Sequence, residues 1–96
     1  MSEREGRPYS LYILRCADGS YYTGIACDVD ARLSEHATGK RGAKYLRGRA
    51  PFELVFSGNA GSRGEAQALE YRVKKLKRAE KQALIAGRLE LNQLRS

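Results

Sequence analysis

Five polar side chains in this sequence of 96 residues have types and an order that suit phosphodiester chemistry. They are Tyr12, Tyr22, Arg32, His36 and Glu70. A guanidinium can dock to two phosphate oxygens at once and offset developing negative charge. An imidazole titrates near neutral pH, and one carboxylate is enough to hold a magnesium ion whose other ligands are water and phosphate. The set therefore predicts metal-assisted hydrolysis of a phosphodiester.

Each of these residues also has a simpler structural interpretation. A single tyrosine in a strand is more often a half-buried sheet residue whose hydroxyl reaches solvent. Taken alone, Arg32 is explained as an exposed helix arginine, and His36 equally well as a surface histidine stacking on a neighbour. Glu70 precedes Lys74 by four residues, a favourable spacing for an ion pair on a helix. The ordered set, rather than any one member, favours chemistry.

A β-hairpin must bring the two tyrosines together. Two apolar runs, residues 9–16 and 21–25, flank an Asp-Gly pair, which is a strong hairpin signal. A two-residue loop would point Tyr12 and Tyr22 to opposite faces. A three-residue loop with Gly19 in the left-handed position instead places Tyr22 opposite Leu14, so that the tyrosines share a face.

A short helix is expected to carry the arginine and the histidine. Asp28 is a candidate N-cap, and a glycine follows ten residues of helical pattern. Val29 and Leu33 would anchor this helix, while Arg32 and His36 project together beside that stripe. The basic, glycine-punctuated segment 39–49 is predicted to be a loop that contacts phosphate through Lys40, Arg41, Lys44 and Arg47.

The second half of the chain predicts one strand and one long helix. Phe52, Leu54 and Phe56 alternate with other residues, which indicates a strand with one core-facing side. Segment 57–64 contains three glycines and is expected to be a mobile connection. Apolar residues at helical spacing then predict one helix over 65–85, and Leu89, Leu91 and Leu94 predict a short final helix. The fold class is α+β, a three-stranded, mainly antiparallel sheet flanked by helices.

The long helix has a carboxylate at its rim and a cationic outer face. Glu70 lies at the edge of the buried stripe, where it can hold a cation, while Glu65 competes for that role but sits at the helix start, where a negative charge is favourable. The outer face carries Arg72, Lys74, Lys75, Lys77, Arg78 and Lys81. A membrane-surface or partner helix ranks lower than phosphate contact because we find no aromatic residues interleaved with these lysines.

Composition is consistent with a nucleic-acid partner. Lysine and arginine number 18 against 11 acidic residues, which gives a formal net charge of +7; a merely soluble basic surface is the simpler explanation. The length predicts a single domain over 1–96, with its core at about 8–86 and a flexible tail at 1–7. Cys16 and Cys27 form no metal-binding pattern and are expected to be reduced thiols. Without a signal peptide or membrane span in the sequence, we predict a cytoplasmic protein.

The local motifs carry a family resemblance. The strings Ser10-Leu11-Tyr12 and Tyr22-Thr23-Gly24, followed in order by Arg32, His36 and Glu70, resemble the GIY-YIG nuclease family, particularly its small single-domain members. The resemblance runs from about Pro8 to Ile85. Ser10 replaces the first motif's glycine, Thr23 replaces an isoleucine, and Asn92 lies too far downstream to match an asparagine that many members carry.

The resemblance implies a role for each residue. Tyr12 takes the place of the tyrosine beside the attacking water, proposed as general base, and Tyr22 that of the tyrosine contacting the phosphate or the water network. Arg32 and His36 match the helix arginine and the histidine one turn later. Glu70 matches the glutamate that binds one divalent cation, Mg²⁺ or Mn²⁺.

The expected function is that of an endonuclease acting on nucleic acid, with DNA favoured and repair or recombination as a candidate setting. Lys74 and Lys77 would add phosphate contacts to those of the basic loop. Duplex, single-stranded, branched and damaged DNA and RNA remain open as substrates, as do a protein partner that supplies specificity and the oligomeric state. The alternatives are a nucleic-acid-binding module without turnover inside a larger complex, and a protein-interaction domain with a basic surface.

Overall fold

The computed structural model describes residues 7–38 and 51–95 of the chain. The strands are β1, Tyr9–Arg15, β2, Tyr21–Ala26, and β3, Glu53–Gly61. The helices are α1, Val29–Thr38, α2, Arg63–Lys74, and α3, Arg78–Ile85, followed by a 3-10 helix at Leu91–Leu94. The strands form one antiparallel sheet in the order β2-β1-β3, which confirms the predicted fold class. The predicted basic loop, with Lys40, Arg41, Lys44 and Arg47, lies outside the described residues.

The hairpin between β1 and β2 has the three-residue loop that the sequence predicts. Gly19 has φ +84°, and the Cys16 amide donates to the Ser20 carbonyl at 2.8 Å. Leu14 pairs with Tyr22. The ring centroids of Tyr12 and Tyr22 lie 6.4 Å apart, so the two tyrosines share a face as expected.

The two faces of the sheet bury different material. One face carries Leu11 and Ile13 of β1 and is covered by α2, whose buried side chains are Ala66, Leu69 and Val73. The opposite face carries Tyr12, Leu14 and Cys16. Two residues of α1, Val29 and Leu33, pack against that second cluster and confirm the predicted anchors of this helix.

The third strand corrects two predictions. Segment 57–64 is not a mobile connection, because β3 continues to Gly61 and Ser62 then caps α2. The strand also lacks a single core-facing side, since Leu54 is 42% exposed while Val55 and Phe56 both pack against the α2-side core. Ile13 pairs with Phe56 and Leu14 with Leu54, so that Val55 is an extra residue on β3. Such a bulge interrupts the strict alternation that the prediction assumed.

The predicted single helix over 65–85 is two helices. α2 ends at Lys74 and α3 begins at Arg78. Lys77 adopts extended backbone, and its amide donates to the Glu80 carboxylate at 2.9 Å, which caps the new helix. Apolar spacing continues through Leu76, and therefore the periodicity gave no sign of the break. The 3-10 helix confirms the short final helix, with Leu91 buried.

No helix in the described parts of the chain has the length and apolar character that a bilayer-crossing helix would need.

Candidate active site

A hydrogen bond between the first tyrosine and the histidine forms the centre of the candidate site. The Tyr12 hydroxyl lies 3.0 Å from His36 Nε2. Tyr12 is 1% exposed and His36 5% exposed, and the residues are 24 positions apart in the chain. Neither simple interpretation holds for this pair, because the tyrosine hydroxyl does not reach bulk solvent and the histidine is not on the surface. β1 and α1 instead enclose a polar contact between them.

Burial further stabilises the neutral form of the first tyrosine. Desolvation raises the pKa of Tyr12 to about 12, and the neighbouring Tyr22 adds to the rise. Arg32 opposes it, through its positive charge and a hydrogen bond to the hydroxyl, whereas the charge of Glu70 raises the pKa further. Tyr12 is thus a neutral phenol at physiological pH, able to donate its proton to the imidazole.

The histidine is held in its neutral form. Desolvation lowers the pKa of His36, and the positive charge of Arg32 lowers it further, while Glu35 acts in the opposite direction. A neutral imidazole has one acceptor nitrogen. With Nε2 as that acceptor, the Tyr12 hydroxyl donates to His36 and can accept from Arg32, so the three side chains form a directed chain of hydrogen bonds.

Tyr22 lies against both members of this pair. Its ring is 6.4 Å from the Tyr12 ring and 5.6 Å from the His36 ring, where it meets the imidazole edge to face. Burial also raises the pKa of Tyr22. Because Tyr22 is only half-buried, it joins the enclosed pair to the solvent-accessible part of the site.

Gly24 has a specific role that sequence reasoning missed. It pairs directly with Tyr12 across the sheet, and a Cβ atom at this position would lie 2.5 Å from the Tyr12 hydroxyl oxygen. The absence of a side chain allows the tyrosine ring to lie over β2 and reach α1. The glycine in the second motif was the available signal, but only the strand register shows which side chain it accommodates.

The Arg32 side chain is partly exposed and forms an ion pair with Glu35 of the same helix. Its Nη1 donates to Glu35 Oε1 at 2.9 Å, and the two side chains are 31% and 36% exposed. Hydrogen bonding to Glu35 is the main reason that the pKa of Arg32 is raised. An exposed pair of this kind contributes at most about 1 kcal/mol to stability. An incoming phosphate can therefore replace the carboxylate at small cost.

Glu70 lies on α2, the helix that covers the other face of the sheet. Its side chain is 24% exposed, and its negative charge contributes to the raised pKa values of both Tyr12 and Tyr22. The simple interpretation of this residue is also realised, since Glu70 Oε2 lies 3.4 Å from Lys74 Nζ. Direct contacts connect Tyr12, Tyr22, Arg32 and His36. Glu70 acts on the two tyrosines through its negative charge.

The competing glutamate has a structural task. Glu65 is the third residue of α2, where its carboxylate accepts from the Ser62 amide at 3.0 Å and its own amide donates to the Ser62 hydroxyl at 3.2 Å. The hydrogen bond from the Ser62 backbone lowers the pKa of Glu65. Its position at the helix start agrees with the prediction, and this capping box accounts for the charge without a metal.

The predicted cationic face needs two corrections. Arg72 does not belong to it, because its Nη1 donates to the Leu94 carbonyl at 2.7 Å and fastens the 3-10 helix. The face does contain aromatic rings: Lys75 Nζ lies 4.6 Å from the ring centroid of Tyr71, and the Arg78 guanidinium lies 4.5 Å from that of Tyr21. The sequence did contain an indication of the first pair, because Tyr71 precedes Lys75 by four positions on a helix. The predicted phosphate ligands Lys74 and Lys77 are both exposed.

The donor set suits a hard cation bound with few protein ligands. In the described ranges, no three residues among histidine, cysteine, aspartate and glutamate come together as a metal cluster. Glu70 offers a partly exposed carboxylate whose negative charge acts on both Tyr12 and Tyr22. Magnesium commonly binds through one or two carboxylates, with water and substrate phosphate completing its shell, and the arrangement fits that pattern.

Comparison with known proteins identifies the class. The family model for the GIY-YIG catalytic domain matches residues 8–83. The chain therefore belongs to the GIY-YIG family, as its motifs predicted, and this domain places it within a nuclease superfamily whose members generally use a divalent cation.

Several relatives of this chain are small proteins that carry the name UPF0213. The UPF0213 protein of Cronobacter sakazakii is 49% identical over 90% of each chain, and UPF0213 protein YhbQ of Escherichia coli is 48% identical over 82% of this chain and 78% of its own. The solution NMR structure of a UPF0213 protein from Bacillus halodurans is 49% identical, with a TM-score of 0.53 over 82% of this chain and 83% of that one. A second NMR structure, of a protein from E. faecalis, has a TM-score of 0.59 at 36% identity, covering 86% of this chain and 88% of its own.

Proposed function

We propose that this chain is a metal-dependent endonuclease that hydrolyses phosphodiester bonds of nucleic acid, with DNA as the favoured substrate. The observation that carries the proposal is the buried hydrogen bond between Tyr12 and His36, flanked by the partly exposed Tyr22 and Arg32. Family membership supports the reaction class.

The buried pair is better suited to proton transfer than to stability. Enclosing a hydroxyl and an imidazole costs free energy that their mutual hydrogen bond only offsets, so apolar side chains would fill the same space at less cost. The cluster also excludes water from His36 and places it near Arg32, which keeps the imidazole neutral. A neutral imidazole beside a phenol is a ready proton acceptor.

Proton movement follows from the direction of the hydrogen bonds. In the proposed relay, one water enters beside the half-buried Tyr22 and contacts the Tyr12 hydroxyl. It loses a proton to that oxygen while the phenol passes its own proton to His36 Nε2, so Tyr12 never carries a full negative charge. This relay removes the difficulty of ionising a phenol whose pKa is about 12. The resulting hydroxide attacks phosphorus as the bond to the leaving oxygen breaks. The leaving oxygen takes a proton from a solvent water, and His36 returns its extra proton through Tyr12 to the hydroxide that remains.

The remaining residues bind and stabilise the phosphate. Arg32, released from Glu35, donates to the non-bridging oxygens as negative charge accumulates, and the Tyr22 hydroxyl positions the same phosphate or a water beside it. Glu70 would hold one magnesium or manganese ion, displacing Lys74. When bound, that cation supplies Lewis-acid stabilisation of the leaving oxygen.

A cleavage assay with a charge-matched control tests the proposal. Labelled duplex, single-stranded, tailed and branched DNA and an RNA are incubated with the wild type, Glu70→Gln and Glu53→Gln in magnesium, manganese or chelator. Glu53 is an exposed residue of β3 that pairs with Arg15, so its substitution removes the same charge at a position outside the motif residues. We expect cleavage that needs a cation, is abolished in Glu70→Gln and survives in Glu53→Gln.

Two results would overturn the proposal. Cleavage by Glu70→Gln at the wild-type rate in magnesium would remove the metal assignment. Tight binding of a substrate with no cleavage in either metal would favour the nucleic-acid-binding module over the enzyme.

A further inference from the structure

The residue after the candidate metal ligand is an exposed aromatic. Tyr71 is 62% exposed, on a helix whose buried side chains are Ala66, Leu69 and Val73. Its ring therefore contributes little to the core. Aromatic rings usually bury much of their surface, and one that remains in solvent on the residue next to Glu70 is available to a ligand.

The charges around Tyr71 define the ligand's chemistry. Lys75 Nζ lies 4.6 Å from the Tyr71 ring centroid, and one position earlier on the same helix Lys74 pairs with Glu70. The Glu70–Lys74 pair and the Tyr71–Lys75 pair therefore lie side by side along α2. An aromatic face bordered by lysines is complementary to a nucleotide, whose base stacks on the ring while its phosphate meets the ammonium groups.

A second contact fixes this surface relative to the motif strands. The Arg78 guanidinium lies 4.5 Å from the Tyr21 ring centroid and donates to the Gly19 carbonyl at 3.0 Å. Arg78, the first residue of α3, therefore binds the β1–β2 hairpin that carries Tyr22. A nucleotide on Tyr71 would accordingly be held at a defined position relative to the candidate site.

We propose that Tyr71 is a stacking platform for an unpaired base next to the scissile phosphate, so that the substrate is nucleic acid with a single-stranded segment at the cleavage point. The position relative to the scissile bond rests on the proposed function, whereas the stacking contact does not. In a closed duplex the bases already stack on each other, and presenting one to Tyr71 requires unstacking. Single-stranded or tailed molecules avoid that cost.

The chain contains no tryptophan, which permits a direct reporter of stacking. Tyr71→Trp keeps an aromatic platform and introduces the only tryptophan, which can be excited at a wavelength where tyrosine does not absorb. Its emission is followed in chelator while single-stranded oligothymidylate or a blunt duplex of equal length is added. Gln82→Trp, at an exposed position of α3, is the matched control. We expect saturable quenching of the Tyr71→Trp protein by the single strand, weaker quenching by the duplex, and little change in the emission of the Gln82→Trp protein.

Affinity measurements separate the ring from the rest of the side chain. Loss of one base stacked on an aromatic ring should weaken binding roughly 5- to 150-fold, and fluorescence anisotropy should show such a loss for Tyr71→Leu with single-stranded DNA. Tyr71→Phe retains the ring and should bind within about twofold of the wild type. Circular dichroism melting of the three proteins verifies that the variants are folded.

Several outcomes would overturn the platform. Binding of the single strand to Tyr71→Trp without quenching, equal quenching of Gln82→Trp, or unchanged affinity in Tyr71→Leu would each do so. A fluorescence response to anionic lipid vesicles but not to oligonucleotide would assign the surface to a membrane instead. Because these assays use no metal and no turnover, they succeed or fail independently of the cleavage test with Glu70→Gln.

Discussion

The two faces of the sheet use the same central strand for opposite purposes. Towards α2, β1 presents Leu11 and Ile13, both fully buried in an apolar core. Towards α1, the same strand presents Tyr12, whose hydroxyl is enclosed with an imidazole. Alternation of side chains along a strand makes this division possible, because neighbouring residues point into different layers.

The difference shows how a small domain can support a costly polar site. In a chain of this size the apolar burial on the α2 side supplies much of the stability. The α1 side encloses polar groups whose hydrogen bonds offset desolvation without adding much. Substitutions of apolar residues on the α2 side should therefore affect mainly stability, and substitutions of the polar residues on the α1 side mainly turnover.

The largest expected effect is on the apolar face. Leu11→Ala should lower the free energy of unfolding by about 2–5 kcal/mol, because it removes a buried side chain and leaves a cavity. Urea denaturation measures the loss. Leu54→Ala is the matched control, since Leu54 is 42% exposed, and its substitution should cost much less. Equal losses would show that the α2-side core is not the principal source of stability.

The next effect is on turnover and lies on the α1 face. Arg32→Ala should reduce the single-turnover rate by on the order of 10²-fold, because a preorganised donor to the transition state is lost. Stability should change by about 1 kcal/mol, as expected for a partly exposed ion pair. The control is Arg63→Ala, an exposed arginine at the start of α2. Weaker binding with an unchanged rate would reduce Arg32 to a phosphate contact.

A single methyl group tests how tightly Tyr12 is enclosed on the α1 face. Gly24→Ala should destabilise the domain by about 1–3 kcal/mol, because the new Cβ would lie 2.5 Å from the Tyr12 hydroxyl. The ring must move, and the hydrogen bond to His36 should weaken with it. Gly64→Ala is the control, since its Cβ meets no atom within 4 Å and stands on α2, where alanine is favoured. Gly24→Ala with wild-type stability would contradict the enclosed position of Tyr12.

The smallest effect is a shift in proton affinity. His36 is the sole histidine of the sequence, so its imidazole NMR signals are assigned without ambiguity. Its pKa should lie below 6.5, should rise in Arg32→Ala, and should fall further in Glu35→Gln. The stability linked to neutral His36 should be present above pH 6.5 and lost as pH falls through the lowered pKa. Cleavage should decline as pH falls through the same range, and a His36 pKa above 6.5 would contradict the desolvated position of the imidazole.

Local chemistry was enough to predict part of the molecule. The Asp-Gly loop determined the hairpin register, and hence the shared face of Tyr12 and Tyr22, because turn geometry depends on residues adjacent in the chain. Capping and apolar spacing likewise predicted α1 and its anchors Val29 and Leu33. Motif order was sufficient to predict the family.

Only the tertiary structure decided the features that depend on distant contacts. The bulge at Val55 and the break at Lys77 interrupt periodic patterns that continue through both positions. Burial of His36 results from the packing of α1 against β1, and its Tyr12 partner is 24 residues away. Gly24 acquires its role from a cross-strand neighbour rather than from its own conformation. By itself, the sequence determined which groups were available for chemistry and their local backbone, while packing decided which were enclosed, desolvated and brought into contact.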